Sequence, residues 1–221
     1  ASLFKKHVCE DEKIDFLIDL HTTTANMGIT VFLSKTDSLT RLAASFLQHE
    51  FPEIKLAETS VLDDLAPYLS SIAKSGLLIE VGPVAPSTLD ARLYFKTKQV
   101  VDALLNFFDV INEELLEERY PNLLQKKPLV IYKAKKFIDY PRDSNGNITA
   151  MIHPDRLGKD YEAINEGDSL FLDFDGNTII YQEPELSYPI FIGEAAYYEK
   201  EIAMYLTEKK EVVFDASNMC L

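Results

Sequence analysis

Apolar and polar positions along the chain follow two rhythms in its first half and a different one afterwards. Ile14 to Leu20 (IDFLIDL) runs almost continuously apolar, the pattern of a strand covered on both faces of a parallel sheet. The run breaks at His21-Thr22-Thr23-Thr24-Ala25-Asn26, and Ile29 to Leu33 predicts a second short strand. Ser38 predicts a helix cap, followed at helical spacing by Leu39, Leu42, Ala43, Phe46 and Leu47. Leu77 to Val81 (LLIEV) predicts another buried strand, closed by Gly82-Pro83. Ser87 or Thr88 then opens a long amphipathic helix through Val100, Val101, Leu104, Leu105, Phe108, Ile111 and Leu115. That succession of strands and helices predicts an α/β layer architecture.

Near Tyr120-Pro121 the rhythm changes to strand and turn. Leu129 to Tyr132, Ser169 to Phe174 and Thr178 to Tyr181 read as strands, while Asn145-Gly146 and Asp175-Gly176 are strong hairpin signals. The expected organisation is an α/β domain over residues 1–121 and a β-rich domain over 122–221. Internal repeats and low-complexity stretches are absent from the sequence.

Composition narrows the function. With 221 residues, 47% apolar and 26% charged, the chain has ordinary globular make-up and enough length for a substantial core. Its 22 basic residues against 36 acidic ones give a net charge of −14, which argues against nucleic acid or an anionic membrane surface as a partner. A small anionic ligand would need local cations or a metal to overcome that field. No apolar run approaches the ~18 residues of a membrane span. Cys9 and Cys220 stand alone without a CxxC, so a disulfide framework is not expected and the cytoplasm is the expected compartment.

Sites in open α/β sheets gather at the carboxyl ends of strands. His21 follows the first apolar run and Glu80 interrupts LLIEV. A histidine at a strand end also reads as a hydrogen-bonded structural residue. A carboxylate inside an apolar strand is costly unless paired, and desolvation raising its pKa suits a general base. Together the two suggest a metal ligand and a base. GxGxxG, P-loop, GxSxG and HExxH motifs are absent. His49-Glu50 reads as solvated helix surface, Asp173 to Asn177 as a hairpin turn more than a calcium loop, and Lys126-Lys127 with Lys133 to Lys136 as a solubilised strand edge.

Four segments then carry a resemblance: DLHTTTANMG (Asp19 to Gly28), SIAKSGLLIEVGP (Ser71 to Pro83), DYPRDSNGNITAMIHP (Asp139 to Pro154) and EAAYYEK (Glu194 to Lys200). In these segments the chain resembles the aspartoacylase and succinylglutamate desuccinylase branch of the zinc carboxypeptidase-like superfamily. The segments occur in family order, and the resemblance covers nearly the whole chain. It implies part of a mixed sheet with flanking helices, followed by a smaller β-rich domain that contributes to the substrate site. It implies one zinc ion with His21 as a ligand, Glu80 as the general base, and Tyr197 and Tyr68 as substrate-binding hydroxyls. Glu194 would position its segment rather than do chemistry. The implied reaction is release of an acyl group, most simply acetyl, from an N-acyl-amino acid such as N-acetyl-L-aspartate. The expected partner is that small anionic substrate, and a homodimer is the assembly the resemblance allows.

The sequence also departs from the family. Its zinc is held in addition by an HxxE pair on an earlier loop, which is expected upstream of Ala1. His7-Val8-Cys9-Glu10 has the right spelling but lies only 14 residues before His21. Ser70 stands where the family usually carries an arginine, and none of Arg41, Arg92, Arg119, Arg142 and Arg156 occupies a recognised family site. The expectation is a C-terminal portion of an enzyme with an exposed sheet edge. Two alternatives stand beside it: a succinylglutamate desuccinylase-type hydrolase, and a catalytically inactive chain serving as a binding or assembly module.

Overall fold

The computed structural model describes residues 14–33, 35, 37–58, 69–125 and 127–214. His7, Cys9, Glu10, Tyr68, Lys126 and Cys220 lie outside them. The described residues form a mixed α/β fold. Its seven-stranded sheet has the order β1-β4-β2-β3-β5-β10-β9, with β1 Ile14–Thr22, β2 Ile29–Leu33, β3 Lys55–Glu58, β4 Ala73–Val81, β5 Lys127–Ile138, β9 Tyr188–Ile190 and β10 Met204–Phe214. A separate antiparallel sheet contains β6 Ala150–Ile152, β7 Ser169–Asp173 and β8 Thr178–Ile180. The helices are α1 Ser38–Glu50, α2 Ala91–Asn112 and the single turn α3 Leu116–Arg119.

Alternation along β2 and β4 creates two different sheet faces. Ile29, Val31 and Leu33, with Leu77, Ile79 and Val81, face a core shared with Leu42, Phe46 and Leu47 of α1 and Val100, Leu104 and Phe107 of α2. There the rings of Phe46 and Phe107 stack at 4.1 Å. Thr30, Phe32, Leu78 and Glu80 occupy the other face. Phe32 stacks on Phe191 from the chain's second half at 5.6 Å, within a hydrophobic cluster that includes Tyr132 and Ile190. A third core, around Phe171, Tyr181, Ile192 and Met204, lies within the β-rich part. The large sheet continues past residue 121, because β5, β9 and β10 extend it.

Several local expectations need correction. β1 was expected to be covered on both faces, but it is the edge of the described sheet and none of its residues is fully buried. Asp37, one residue before Ser38, caps α1 by accepting the Thr40 N–H at 3.0 Å. Asp90, not Ser87 or Thr88, caps α2 through the N–H groups of Arg92 and Leu93. Ser87 instead takes a left-handed backbone (φ 63°) in the preceding turn. Val101 and Leu105 lie off the buried stripe, which runs through Val100, Leu104 and Phe107.

Lys133, Lys135 and Lys136 of β5 do not line an edge, since β5 lies between β3 and β10. They pair with carboxylates on neighbouring segments: Lys133 with Glu58 (2.9 Å), Lys135 with Glu185 (2.6 Å) and Lys136 with Glu183 (2.7 Å). His49 and Glu50 are an exposed, loosely associated pair at 3.9 Å. Asp173 to Asn177 is the β7–β8 turn, in which Asp173 accepts the N–H groups of Asp175 (2.9 Å) and Asn177 (2.7 Å). Asp143 makes the same bonds to Asn145 and Asn147, so DSNGN and DFDGN build one turn twice. Among the described residues no helix is long and apolar enough to cross a membrane.

Candidate active site

The parallel pairing of β1 and β4 brings distant residues together. His21 and Glu80 are register partners, as are Leu20 and Ile79 just before them. Partners in parallel register present side chains to the same sheet face, so imidazole and carboxyl emerge side by side at the strands' carboxyl ends. β2 runs antiparallel to β4 and places Thr30 opposite Glu80 on its other side. Glu80 therefore lies between an imidazole and a hydroxyl-bearing residue.

Their environments differ. The His21 side chain is 48% exposed, and its Nε2 lies 3.0 Å from Asp19 Oδ1, two residues earlier on the same face. An Nε2–H donated to Asp19 leaves Nδ1 with the lone pair, the arrangement by which carboxylates orient metal-binding histidines. Glu80 is buried, and its Oε2 has no hydrogen-bond partner. Desolvation drives its pKa up to about 7; nearby His21 pulls it down, while Glu194 and Asp19 push it further up. A carboxyl poised near neutrality can both take and return a proton.

The second half of the chain closes over this strand end. Glu194 Oε2 accepts the Thr23 hydroxyl, the Thr24 N–H (2.8 Å) and the Thr24 hydroxyl (3.1 Å). Burial pushes the Glu194 carboxyl up, but these bonds and one from Ala196 N–H outweigh it and hold the group below its ordinary range. Glu194 also caps the 3-10 turn Ala195–Lys200, which carries Tyr197. Tyr197 is half-buried against Phe191 (5.2 Å) and Tyr205 (5.9 Å), with Lys200 Nζ 5.0 Å above its ring. Glu194 thus joins the Tyr197 turn to the loop that leaves His21.

Sequence reasoning missed two neighbours. Asp160 is buried and accepts the Asn26 N–H (3.2 Å) and Ile192 N–H (3.1 Å); burial raises its pKa to about 6 against those bonds. Tyr161 places its hydroxyl 2.6 Å from Thr30 Oγ1. No motif surrounds either residue, and only the fold shows what they touch. Among the described residues no group of three or more His, Cys, Asp or Glu side chains is arranged to hold a metal ion. His21 suits one ligand position there, not a complete shell.

Residues 1–108 match the succinylglutamate desuccinylase/aspartoacylase catalytic domain, and residues 127–209 match the AstE/AspA barrel-sandwich hybrid domain. A probable aspartoacylase of Trichodesmium erythraeum (strain IMS101) is 42% identical over 200 residues, covering 90% of this chain and 66% of that protein. An N-acyl-aromatic-L-amino acid amidohydrolase (carboxylate-forming) of Xenopus laevis is 32% identical, covering 94% of this chain and 67% of its own length. The crystal structure of murine aminoacylase 3 superposes with a TM-score of 0.85 at 27% identity, covering 97% of this chain and 70% of that one. The chain thus spans about two thirds of the length of the curated relatives it matches. By its two domain matches and these identities, it belongs to the succinylglutamate desuccinylase/aspartoacylase family.

Proposed function

We propose that this chain is the larger part of a zinc-dependent amidohydrolase that removes the acyl group from an N-acyl-amino acid. N-acetyl-L-aspartate is the substrate proposed, giving acetate and aspartate. The observation that carries the reading is the pairing of His21 with Glu80 at two parallel strand ends, with one Glu80 oxygen buried and unpartnered. The names of the relatives, probable aspartoacylase and N-acyl-aromatic-L-amino acid amidohydrolase (carboxylate-forming) among them, support the reaction class.

In this proposal His21 Nδ1 is one zinc ligand, held in orientation by Asp19, and the ligands that complete the shell lie outside the described residues. Bound zinc supplies Lewis-acid polarisation and more acidic water. Glu80 takes a proton from the water that attacks the amide carbonyl. As the C–N bond breaks, Glu80 returns that proton to the leaving amine, so carboxylate and amino acid are formed and Glu80 is restored. Tyr197, on the turn fastened by Glu194, contacts the substrate from the second half of the chain. Tyr68 is proposed as a second contact.

Acetate release from N-acetyl-L-aspartate, measured with zinc content on the same samples, tests the proposal. Glu80→Gln should abolish release while zinc is retained; His21→Ala should lose both. Full activity in Glu80→Gln would refute it. Preference for N-succinylglutamate would favour the desuccinylase reading. Absence of both zinc and turnover would favour an inactive binding or assembly module.

A further inference from the structure

We infer that the dipeptide Asp160–Tyr161 is a positioning unit, pinning from the second half of the chain both the loop that leaves His21 and the residue opposite Glu80. The inference rests on the site proposed above and adds two residues to it. Asp160 spans two segments, its Oδ2 accepting Asn26 N–H at 3.2 Å and its Oδ1 accepting Ile192 N–H at 3.1 Å. Asn26 returns a bond of 2.6 Å from Nδ2 to Gly158 O. The loop after β1 is therefore held at backbone and side chain by residues 158–160. Ile192 lies two positions before Glu194, so the same carboxyl steadies the approach to the Thr23–Thr24 clamp.

Tyr161 works on the neighbouring strand. Its hydroxyl meets Thr30 Oγ1 at 2.6 Å, and Thr30 Oγ1 also bonds Met27 O at 3.1 Å. Thr30 is the register partner of Glu80. The Tyr161 ring packs on Tyr132 at 4.7 Å, which fixes the phenol from behind.

Two costly features coincide in these two residues. Asp160 is a buried carboxyl with no ion-pair partner among the described residues, a costly choice if the site needed only filling. Tyr161 holds a left-handed backbone at φ 66°, which few bulky residues adopt. Its hydroxyl is also spent on a buried threonine. Such strain persists where the surrounding structure over-determines it, and here it sits beside the strand ends carrying His21 and Glu80.

The test uses the 221-residue chain and does not depend on hydrolysis. In Asp160→Asn, amide hydrogen exchange at Asn26 and Ile192 should accelerate about tenfold or more, while Leu77 to Ile79 of β4 stay within about twofold. The His21 imidazole NMR signal should shift or broaden, which a merely structural bond would not cause. In Tyr161→Phe, the Thr30 methyl signal should move while Asn26 exchange stays as in the parent. Unchanged exchange and an unchanged His21 signal in Asp160→Asn would overturn the inference, as would a uniform rise in exchange across the sheet. Loss of acetate release without these local changes would count against it too, leaving the proposed hydrolysis to be judged on Glu80→Gln.

Discussion

His21 and Glu80, 59 positions apart in the chain, are direct partners across the β1–β4 pairing and present their side chains to one face of the sheet. Asp19 holds the imidazole on its exposed side, and the strand interior withholds water from the carboxyl. The pair thus joins an accessible donor to a desolvated acid within one register position.

Desolvation of Glu80 has a thermodynamic consequence. Its pKa in the folded chain, about 7, lies above the ordinary 4.5, so its stabilising contribution is complete below pH 4.5 and is lost as pH rises through 7. The displacement corresponds to about 3 kcal/mol. In urea unfolding of the metal-free chain, Glu80→Gln should match the parent near pH 4.5 and exceed it by up to about that amount at pH 8. Asp160, raised to about 6, adds a loss in the same direction between pH 4 and 6 in both proteins.

Glu194 has the opposite sign. Its carboxyl is held below the ordinary range by the Thr23, Thr24 and Ala196 donors, so its contribution is present above pH 4.5 and lost as pH falls below that value. Glu194→Ala leaves the Thr23 hydroxyl and Thr24 N–H without their acceptor and should cost about 2–3 kcal/mol at pH 7 by chemical denaturation.

Gly82, directly after β4, is a second sensitive point because it packs against that loop. A Cβ there would lie 2.4 Å from Thr23 O and 2.9 Å from Ala25 O, both rigid backbone atoms. Gly82→Ala should therefore lower stability by about 1–3 kcal/mol or more and displace the Thr23–Ala25 segment, seen as altered amide shifts confined to that loop.

Legibility in the sequence followed burial. The central strands β2 and β4 carry largely apolar runs, and pattern alone located them; on α2 the helical period found Val100 and Leu104 but passed over Phe107, the third residue of the buried stripe. β10 was invisible, because Glu208, Lys209, Lys210 and Glu211 lie in its exposed middle and hide the alternation of its ends. β3 and β9 are too short, at four and three residues, to show a period. β1 misled in another way: apolar residues at a sheet edge look like those of a central strand, since composition does not reveal which neighbours are present. At the site, His21 and Glu80 could be singled out because each is a polar residue at or within an apolar run. Asp160 and Tyr161 sit in a polar loop where nothing distinguishes them, and their roles depend on contacts 131 and 134 residues away.

Phe107 tests the packing that supports the sheet from behind. It is fully buried and stacked on Phe46, with Tyr120 against its edge at 5.7 Å. Phe107→Ala should cost about 3–5 kcal/mol in thermal or urea unfolding without altering the pH dependence assigned to Glu80.

The most direct measurement is a carbon-13 NMR titration of the Glu80 side-chain carboxyl in the metal-free chain and in its His21→Ala variant. A midpoint near pH 7 that rises further when the imidazole is removed is the outcome expected of a desolvated carboxyl lying against His21. A midpoint at the ordinary 4.5, or one indifferent to His21, would contradict the account.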